Sequence, residues 1–184
     1  MKVAYQGVPG AFSHQAALAF AQGLEPVAYP TFDAVAEAVE AGEVERGIVP
    51  VENSRAGLVP EVQALLARTD LAQLSRNPLP VRMHLLGLPG ASLSAIHTAV
   101  SHPMALQQCA ESLKRLGLTP EPAINTAVAA QMLADPAKAV LASEWAAGAY
   151  GLEMLARDVQ DDPDNTTWFV LLAPAGLINH RAGR

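Results

Sequence analysis

Leu71-Ala72-Gln73-Leu74-Ser75-Arg76-Asn77-Pro78-Leu79-Pro80-Val81-Arg82-Met83-His84-Leu85-Leu86-Gly87-Leu88 is the stretch on which the reading of the fold turns. Proline removes a backbone donor and clashes with the preceding helical turn. The stretch therefore reads as extended chain, marked at Pro78 and Pro80. On both sides of it, short apolar runs alternate with helical segments. Before it lie strands at residues 2–6, 26–29 and 47–51, and helices at 12–21, 32–41 and 60–68. Gly23 closes the first helix, Thr31 and Gly42 bound the second, and Pro60 opens the third, as capping chemistry favours. After it come strands at 96–100, 121–124, 139–141, 155–160 and 168–173, with helices at 103–116, 126–133 and 143–150.

Strands alternating with helices of this length imply βαβ units and mainly parallel sheets. The proline-marked stretch is the natural place for the chain to pass from one lobe to another, with a second crossing within residues 158–165. The expectation is an α/β protein of two lobes: residues 1–77 with about 161–184, and residues 78–160. Two such lobes joined by two extended crossings form a hinged cleft, the architecture of type II periplasmic binding proteins.

Composition narrows the function. Of 184 residues, 51% are hydrophobic and only 16% charged, which is a globular and not a disordered chain. Net charge of −6 argues against nucleic acid and anionic membrane as partners. No apolar run approaches the roughly 20 residues of a membrane span, and the run at Met1–Tyr5 breaks too early for a signal peptide. The lone Cys109 excludes an internal disulfide and leads to an expected cytoplasmic location. His, Cys and carboxylates show no metal-ligand spacing, and nothing calls for a cofactor.

In open α/β sheets ligands bind beyond the carboxyl ends of strands. Those ends carry Gly7-Val8-Pro9-Gly10-Ala11-Phe12-Ser13-His14, Val51-Glu52-Asn53-Ser54-Arg55-Ala56-Gly57, Ser101-His102-Pro103, Asn125-Thr126, Ser143-Glu144 and Thr166-Thr167. Helix capping alone explains four of these six. In Glu52-Asn53-Ser54-x-x-Gly57, three polar groups precede a glycine free to take positive φ, a pattern suited to cradling a small anion. Gly7-x-x-Gly10-x-x-Ser13 is neither a Walker A loop nor a complete dinucleotide fingerprint. A plain tight turn explains it at least as well.

In these residues the chain resembles the catalytic domain of prephenate dehydratase. The resemblance spans nearly the whole chain. It runs through Gly7-x-x-Gly10-Ala11-Phe12-Ser13-His14, Val49-Pro50-Val51-Glu52-Asn53-Ser54-x-x-Gly57, Leu79-Pro80-Val81 and Ser101-His102-Pro103-x-Ala105-Leu106-x-Gln108-Cys109. It continues through Ala142-Ser143, Tyr150-Gly151-Leu152 and Asp161-Asp162-Pro163-x-Asn165-x-Thr167-x-Phe169. The resemblance implies conversion of prephenate to phenylpyruvate with loss of water and CO₂, in a homodimer or homotetramer without a cofactor. It assigns Thr167 to the reacting group, where its hydroxyl would hydrogen-bond the leaving hydroxyl as charge develops. Asn53, Ser54 and Gly57 would meet a carboxylate, with Ser13, Ser101, His102 and Phe169 as further substrate contacts. Glu52, His14, Arg55 and Trp168 stand as supporting residues; for His14 and His102 a helix-start role competes with that of an acid.

Two departures bear on activity. Where the family reads Thr-Arg-Phe, this chain reads Thr167-Trp168-Phe169. Either Arg55 or Arg82 supplies a replacement guanidinium, or Arg55 is a solvated surface residue and the site lacks that cation; the sequence leaves both open. The family also continues into a regulatory ACT domain that binds phenylalanine, which these residues do not include. Two other readings stand beside the dehydratase: a non-aromatising prephenate decarboxylase, against which Thr167 counts, and a non-catalytic domain that holds an aromatic acid.

Overall fold

The computed structural model describes residues 1–176. In chain order the first elements are β1 (Lys2–Gln6), α1 (Phe12–Phe20), β2 (Glu25–Tyr29), α2 (Phe32–Glu40), β3 (Arg46–Asn53), β4 (Gly57–Leu58), α3 (Pro60–Arg68) and β5 (Ala72–Pro80). They are followed by β6 (His84–Gly87), β7 (Thr98–Ser101), α4 (Pro103–Gln108), α5 (Ala110–Leu116), β8 (Thr119–Pro122) and α6 (Thr126–Gln131). The last are β9 (Lys138–Ala142), α7 (Glu144–Tyr150), β10 (Glu153–Ala156) and β11 (Thr166–Ala173).

The chain separates into two compact units. Met1–Gly7, Ser13–Pro80 and residues 165–176 make the first; Val8–Phe12 and Val81–Asp164 make the second. The loop Val8–Phe12, which the sequence reading left in the first lobe, thus belongs with the second. Its tie there is specific: the Ser143 hydroxyl donates to the Gly10 carbonyl and the Tyr150 hydroxyl to the Pro9 carbonyl, both at 2.6 Å.

Each unit is built on one sheet. In the first the order is β2-β1-β3-β11-β5, with β4 on β3. In the second it is β10-β6-β9-β7-β8. The expectation of mainly parallel sheets is corrected to a mixed one. β1 is parallel to β2 and β3, and β7 to β8 and β9. β11 runs antiparallel to β3 and β5, and β6 antiparallel to β9 and β10. Parallel neighbours need a crossover helix, whereas antiparallel neighbours do not. β6 and β11 are reached along extended chain instead, so the helix-strand alternation misstates their direction.

Burial follows the periodicity that made the elements legible. Val35, Ala36, Ala38 and Val39 face inward on α2, which Thr31 caps by accepting from the Ala34 N–H at 3.1 Å. Val62 and Leu65 face inward on α3, and both helices pack on Val49, Val51, Val170 and Leu172 of the sheet. In the second unit Leu85, Ala99, Leu113 and Leu141 centre the core. The helix expected over 103–116 breaks at Cys109, and Asp161 accepts from the Glu111 and Ser112 N–H groups that the break exposes, at 3.0 Å each. The strand expected at 155–160 ends at Ala156. Beyond it, Val159 donates to the Met83 carbonyl at 2.8 Å and buried Gln160 accepts from the Met83 N–H at 2.9 Å. These bonds tie together the two stretches by which the chain enters and leaves the second unit. The strand expected at 121–124 shifts to Thr119–Pro122, leaving Ile124 96% exposed.

Two stability predictions follow from the second unit. Gly10 has φ +85°, and a Cβ there would lie 2.8 Å from the Ala146 Cα, so Gly10→Ala meets both backbone strain and a backbone overlap. It should cost about 2–4 kcal/mol; an unchanged denaturation midpoint would contradict the packing described. His84 is buried, and its Nδ1 accepts from the Asp158 N–H at 3.1 Å, which requires the neutral ring. Burial, partly offset by Asp158 and Glu144, lowers its pKa from the ordinary 6.5. The unfolded chain then takes up the proton first, so stability present above about pH 6.5 falls as the pH drops toward the lower folded value. His84→Gln keeps an acceptor without the titration and should flatten that decline. An unaltered slope in urea titrations between pH 7 and 5 would reject the assignment.

Candidate active site

The first unit gathers its polar residues where β3 ends. β3 and β4 form a hairpin in which Asn53 is paired with Gly57, whose φ of +81° only glycine adopts readily. On its other side Asn53 is paired with Thr167 of β11. Asn53 Oδ1 accepts from the Arg55 and Ala56 N–H groups at 2.9 and 3.0 Å, closing the turn. Backbone N–H groups can only donate, so these two contacts fix which end of the amide is oxygen. The Nδ2 end must then serve the other side. It donates to Asn165 Oδ1 at 2.9 Å and to Thr167 Oγ1 at 2.8 Å, with a longer contact of 3.3 Å to the Thr166 carbonyl.

Ser54 completes the knot. Its N–H donates to the Thr166 carbonyl at 2.8 Å, and its hydroxyl accepts from the Thr166 N–H at 3.0 Å. The expected anion cradle at Asn53, Ser54 and Gly57 is therefore corrected. The N–H groups of residues 54–56 and the polar atoms of Asn53 are already engaged within the site. Their work is to hold Thr167.

Thr167 is half-buried. Because its oxygen accepts from Asn53, its own proton is left to be donated elsewhere, and accepting one hydrogen bond strengthens a hydroxyl as a donor. Asn165, which carried no assigned role in the sequence reading, is 1% exposed. Its Oδ1 is taken by Asn53, and its Nδ2 is buried with no hydrogen-bond partner among the described residues. The available signal was an amide side chain placed where an acidic turn meets a buried strand.

The remaining candidates divide. Phe169 is 1% exposed in the core of the first unit, a packing residue and not a substrate contact. Ser13 is buried on α1. His14 stacks on Tyr5 with ring centroids 5.0 Å apart, and burial lowers its pKa, so it is a poor acid at neutral pH. Ser101 and His102 belong to the second unit. Ser101 is fully buried, donating to the Leu141 carbonyl at 2.9 Å, and His102 caps α4 by accepting from the Met104 N–H at 3.2 Å. Both serve the fold. Burial and the nearby Asp161 charge push the Cys109 thiol up to about 12, so it stays protonated.

Strand alternation puts Trp168 on the face opposite Thr167, packed against the α2–α3 core. The guanidinium beside it is not that of Arg55 or Arg82. Arg82 pairs with Asp158 in the second unit at 3.8 Å, whereas Arg76 of β5 lies over the indole, 5.5 Å from its centroid. Arg76 also pairs with Glu52.

In a mixed α/β fold of two units, the first unit thus presents the Thr167 hydroxyl from an amide network where β3 ends and β11 begins. The family model for prephenate dehydratase matches residues 3–176, and the chain belongs to that family. It is 39% identical over 181 residues to an arogenate dehydratase/prephenate dehydratase of Arabidopsis thaliana, covering 97% of this chain and 46% of the relative. The chain thus spans about half the length of the curated relatives it matches. Among solved structures, one described as a novel type of quorum quenching acylase, GqqA, superposes with a TM-score of 0.87 at 35% identity. That match covers 94% of this chain and 64% of the other. A prephenate dehydratase from Arthrobacter aurescens in complex with L-Phe gives 0.85 at 27% identity, over 95% and 60%. The methionine binding protein MetQ, at 12% identity and a TM-score of 0.51, shares the fold alone.

The cytoplasmic location expected from sequence is withdrawn, since Arabidopsis thaliana relatives are named as chloroplastic. A single thiol reports a reducing environment, not which compartment supplies it.

Asn53→Asp tests the amide orientation. Aspartate still accepts from the Arg55 and Ala56 N–H groups, but it offers Thr167 an acceptor instead of a donor and turns the threonine proton inward. Turnover should fall at least as far as in Thr167→Ala, by roughly 10²–10³-fold, the scale of one lost transition-state donor. Full activity in either folded variant, measured as kcat, would remove this network from the chemistry.

Proposed function

We propose that the chain is the catalytic part of a dehydratase acting on prephenate or its aminated relative arogenate. The observation that carries the reading is the Thr167 hydroxyl, which accepts from Asn53 at 2.8 Å and so keeps its proton for a substrate. In the reaction the ring carboxylate departs as CO₂, its bonding electrons enter the ring, and the hydroxyl at the opposite carbon leaves. With a proton the leaving group becomes water, and the ring becomes aromatic. Aromatisation supplies the driving force, so the site needs a donor placed at the leaving oxygen more than a strong acid. Thr167 is that donor. Its hydrogen bond strengthens as negative charge grows on the oxygen, which lowers the barrier without tightening the ground state equally.

Asn53 holds the threonine oxygen, while Asn165 and Ser54 hold Asn53 and the start of β11. Arogenate differs from prephenate at the side chain, where an amine replaces a ketone, and the chemistry at the ring is common to both. The family model names prephenate, whereas the curated relatives compared name arogenate and some of them prephenate as well, so the reading carries both substrates. The reading extends to assembly as a homodimer or homotetramer: among the described residues β5 lies at the edge of its sheet, with most of its residues exposed and one side of the strand available for pairing.

Incubating the protein with prephenate and, separately, with arogenate decides the matter. Phenylpyruvate from the first or phenylalanine from the second is expected, seen as aromatic absorbance and confirmed by chromatography. A decarboxylated, non-aromatic product would show that Thr167 does not assist the hydroxyl. Binding without product from either substrate would reduce the chain to a binding domain.

A further inference from the structure

Behind the Asn53–Thr167 pair, on the opposite face of β3 and β11, three side chains from three strands meet. Glu52 and Trp168 are cross-strand partners, and Trp168 is paired on its other side with Pro78 of β5. Arg76 lies two residues before Pro78, opposite Val170, and therefore sits diagonally from Trp168. From that position its side chain crosses the indole face and donates to Glu52 Oε2 on the far strand. One side chain thus spans the width of β11.

What it grips is the least regular part of the sheet. The β3–β11 register shifts between Trp168 and Phe169, which pair with Glu52 and Pro50, so that Val51 is the extra residue of a bulge. The Val51 carbonyl is held from below, accepting from the Val59 N–H and from Gln63 Nε2 at 3.1 Å each. Beyond the bulge only Glu52 and Asn53 remain before the turn. A rotation of that short end would swing the Asn53 amide away from Thr167. Glu52 is the handle on its rear face, and an arginine at position 168 would have met that handle directly across the ladder. Here an indole occupies the position, and the guanidinium arrives over it from β5.

We propose, building on the dehydratase reading, that Arg76 is a positioning residue for Thr167. By clamping Glu52 across Trp168 it holds the bulged end of β3 in the register that aims Asn53 at the threonine hydroxyl. It supplies from β5 the cation that the family's Thr-Arg-Phe motif carries on β11. The side chains of Arg76 and Glu52 are 53% and 36% exposed, so the pair adds little to global stability. Its effect is on geometry, and geometry is what turnover reads.

Arg76→Ala should lower kcat on the order of 10–100-fold, the penalty for slight misplacement of a reacting group, with KM and melting temperature nearly unchanged. Arg76→Gln, which keeps most of the stacking bulk, serves if the alanine variant folds poorly. The double variant Arg76→Ala with Trp168→Arg returns a cation to Glu52 from the other strand, and its kcat should climb back toward wild type. The Asn53 side-chain amide resonances should move in the single variant and return in the double one. This NMR readout requires no turnover, so it decides the clamp even if wild type converts neither prephenate nor arogenate, an outcome that would sink the dehydratase reading alone. Unmoved amide resonances in Arg76→Ala, or a kcat that the double variant fails to restore, would overturn the proposal.

Discussion

The site depends on the polarity of one amide. Two backbone N–H groups of the turn after β3 claim Asn53 Oδ1, and that contact obliges Nδ2 to face β11 as a donor. Everything chemically useful follows from this direction. Thr167 receives a hydrogen bond from Asn53, and its own proton points away from that contact. A tight turn, made possible by Gly57, thereby sets the donor sense of a residue more than a hundred positions away in the chain.

The sheet makes that coupling possible. β11 is the last described strand in the chain, yet it is inserted between β3 and β5 and is paired on both sides. Thr166 and Thr167 lie at its start, flanked by Asn53 on one strand and Leu79 and Pro80 on the other. A strand bonded along both edges has little freedom to slide. The Thr167 hydroxyl therefore stands on one of the most constrained elements of its unit, even though it sits where a loop enters the sheet.

Both faces of that strand contribute. The front face carries the amide network. The rear face carries Trp168 between Glu52 and Arg76, packed toward the α2–α3 core. Replacing the family arginine by tryptophan adds apolar area beneath a half-exposed ion pair and relocates the cation to a neighbouring strand. Among the described residues, the buried Asn165 Nδ2 is the side-chain atom this network leaves unmatched.

Most helices and strands and the family were readable from the chain, because periodicity, capping residues and glycine stops act locally, whereas the break at Cys109 and the bounds of β8 and β10 were not. Thr31, Gly42, Pro60 and Ser143 mark helix boundaries wherever the helices happen to pack. The strand-end pattern drew attention to Asn53 and Ser54, and the family resemblance to Thr167, without any coordinates. The division of labour among these residues was not legible, because it depends on partners distant in sequence. Asn53 and Ser54 read as ligand groups until Thr166, Thr167 and Asn165 arrive across a ladder to engage them. Ser101 and Phe169 read as contacts until the sheets bury them. Strand direction was misjudged for the same reason, since antiparallel β11 and β6 leave no crossover helix as a local sign. Arg76, an ordinary charge on an edge strand by its sequence, acquires a role only because the register of three strands sets it diagonally across Trp168 from Glu52.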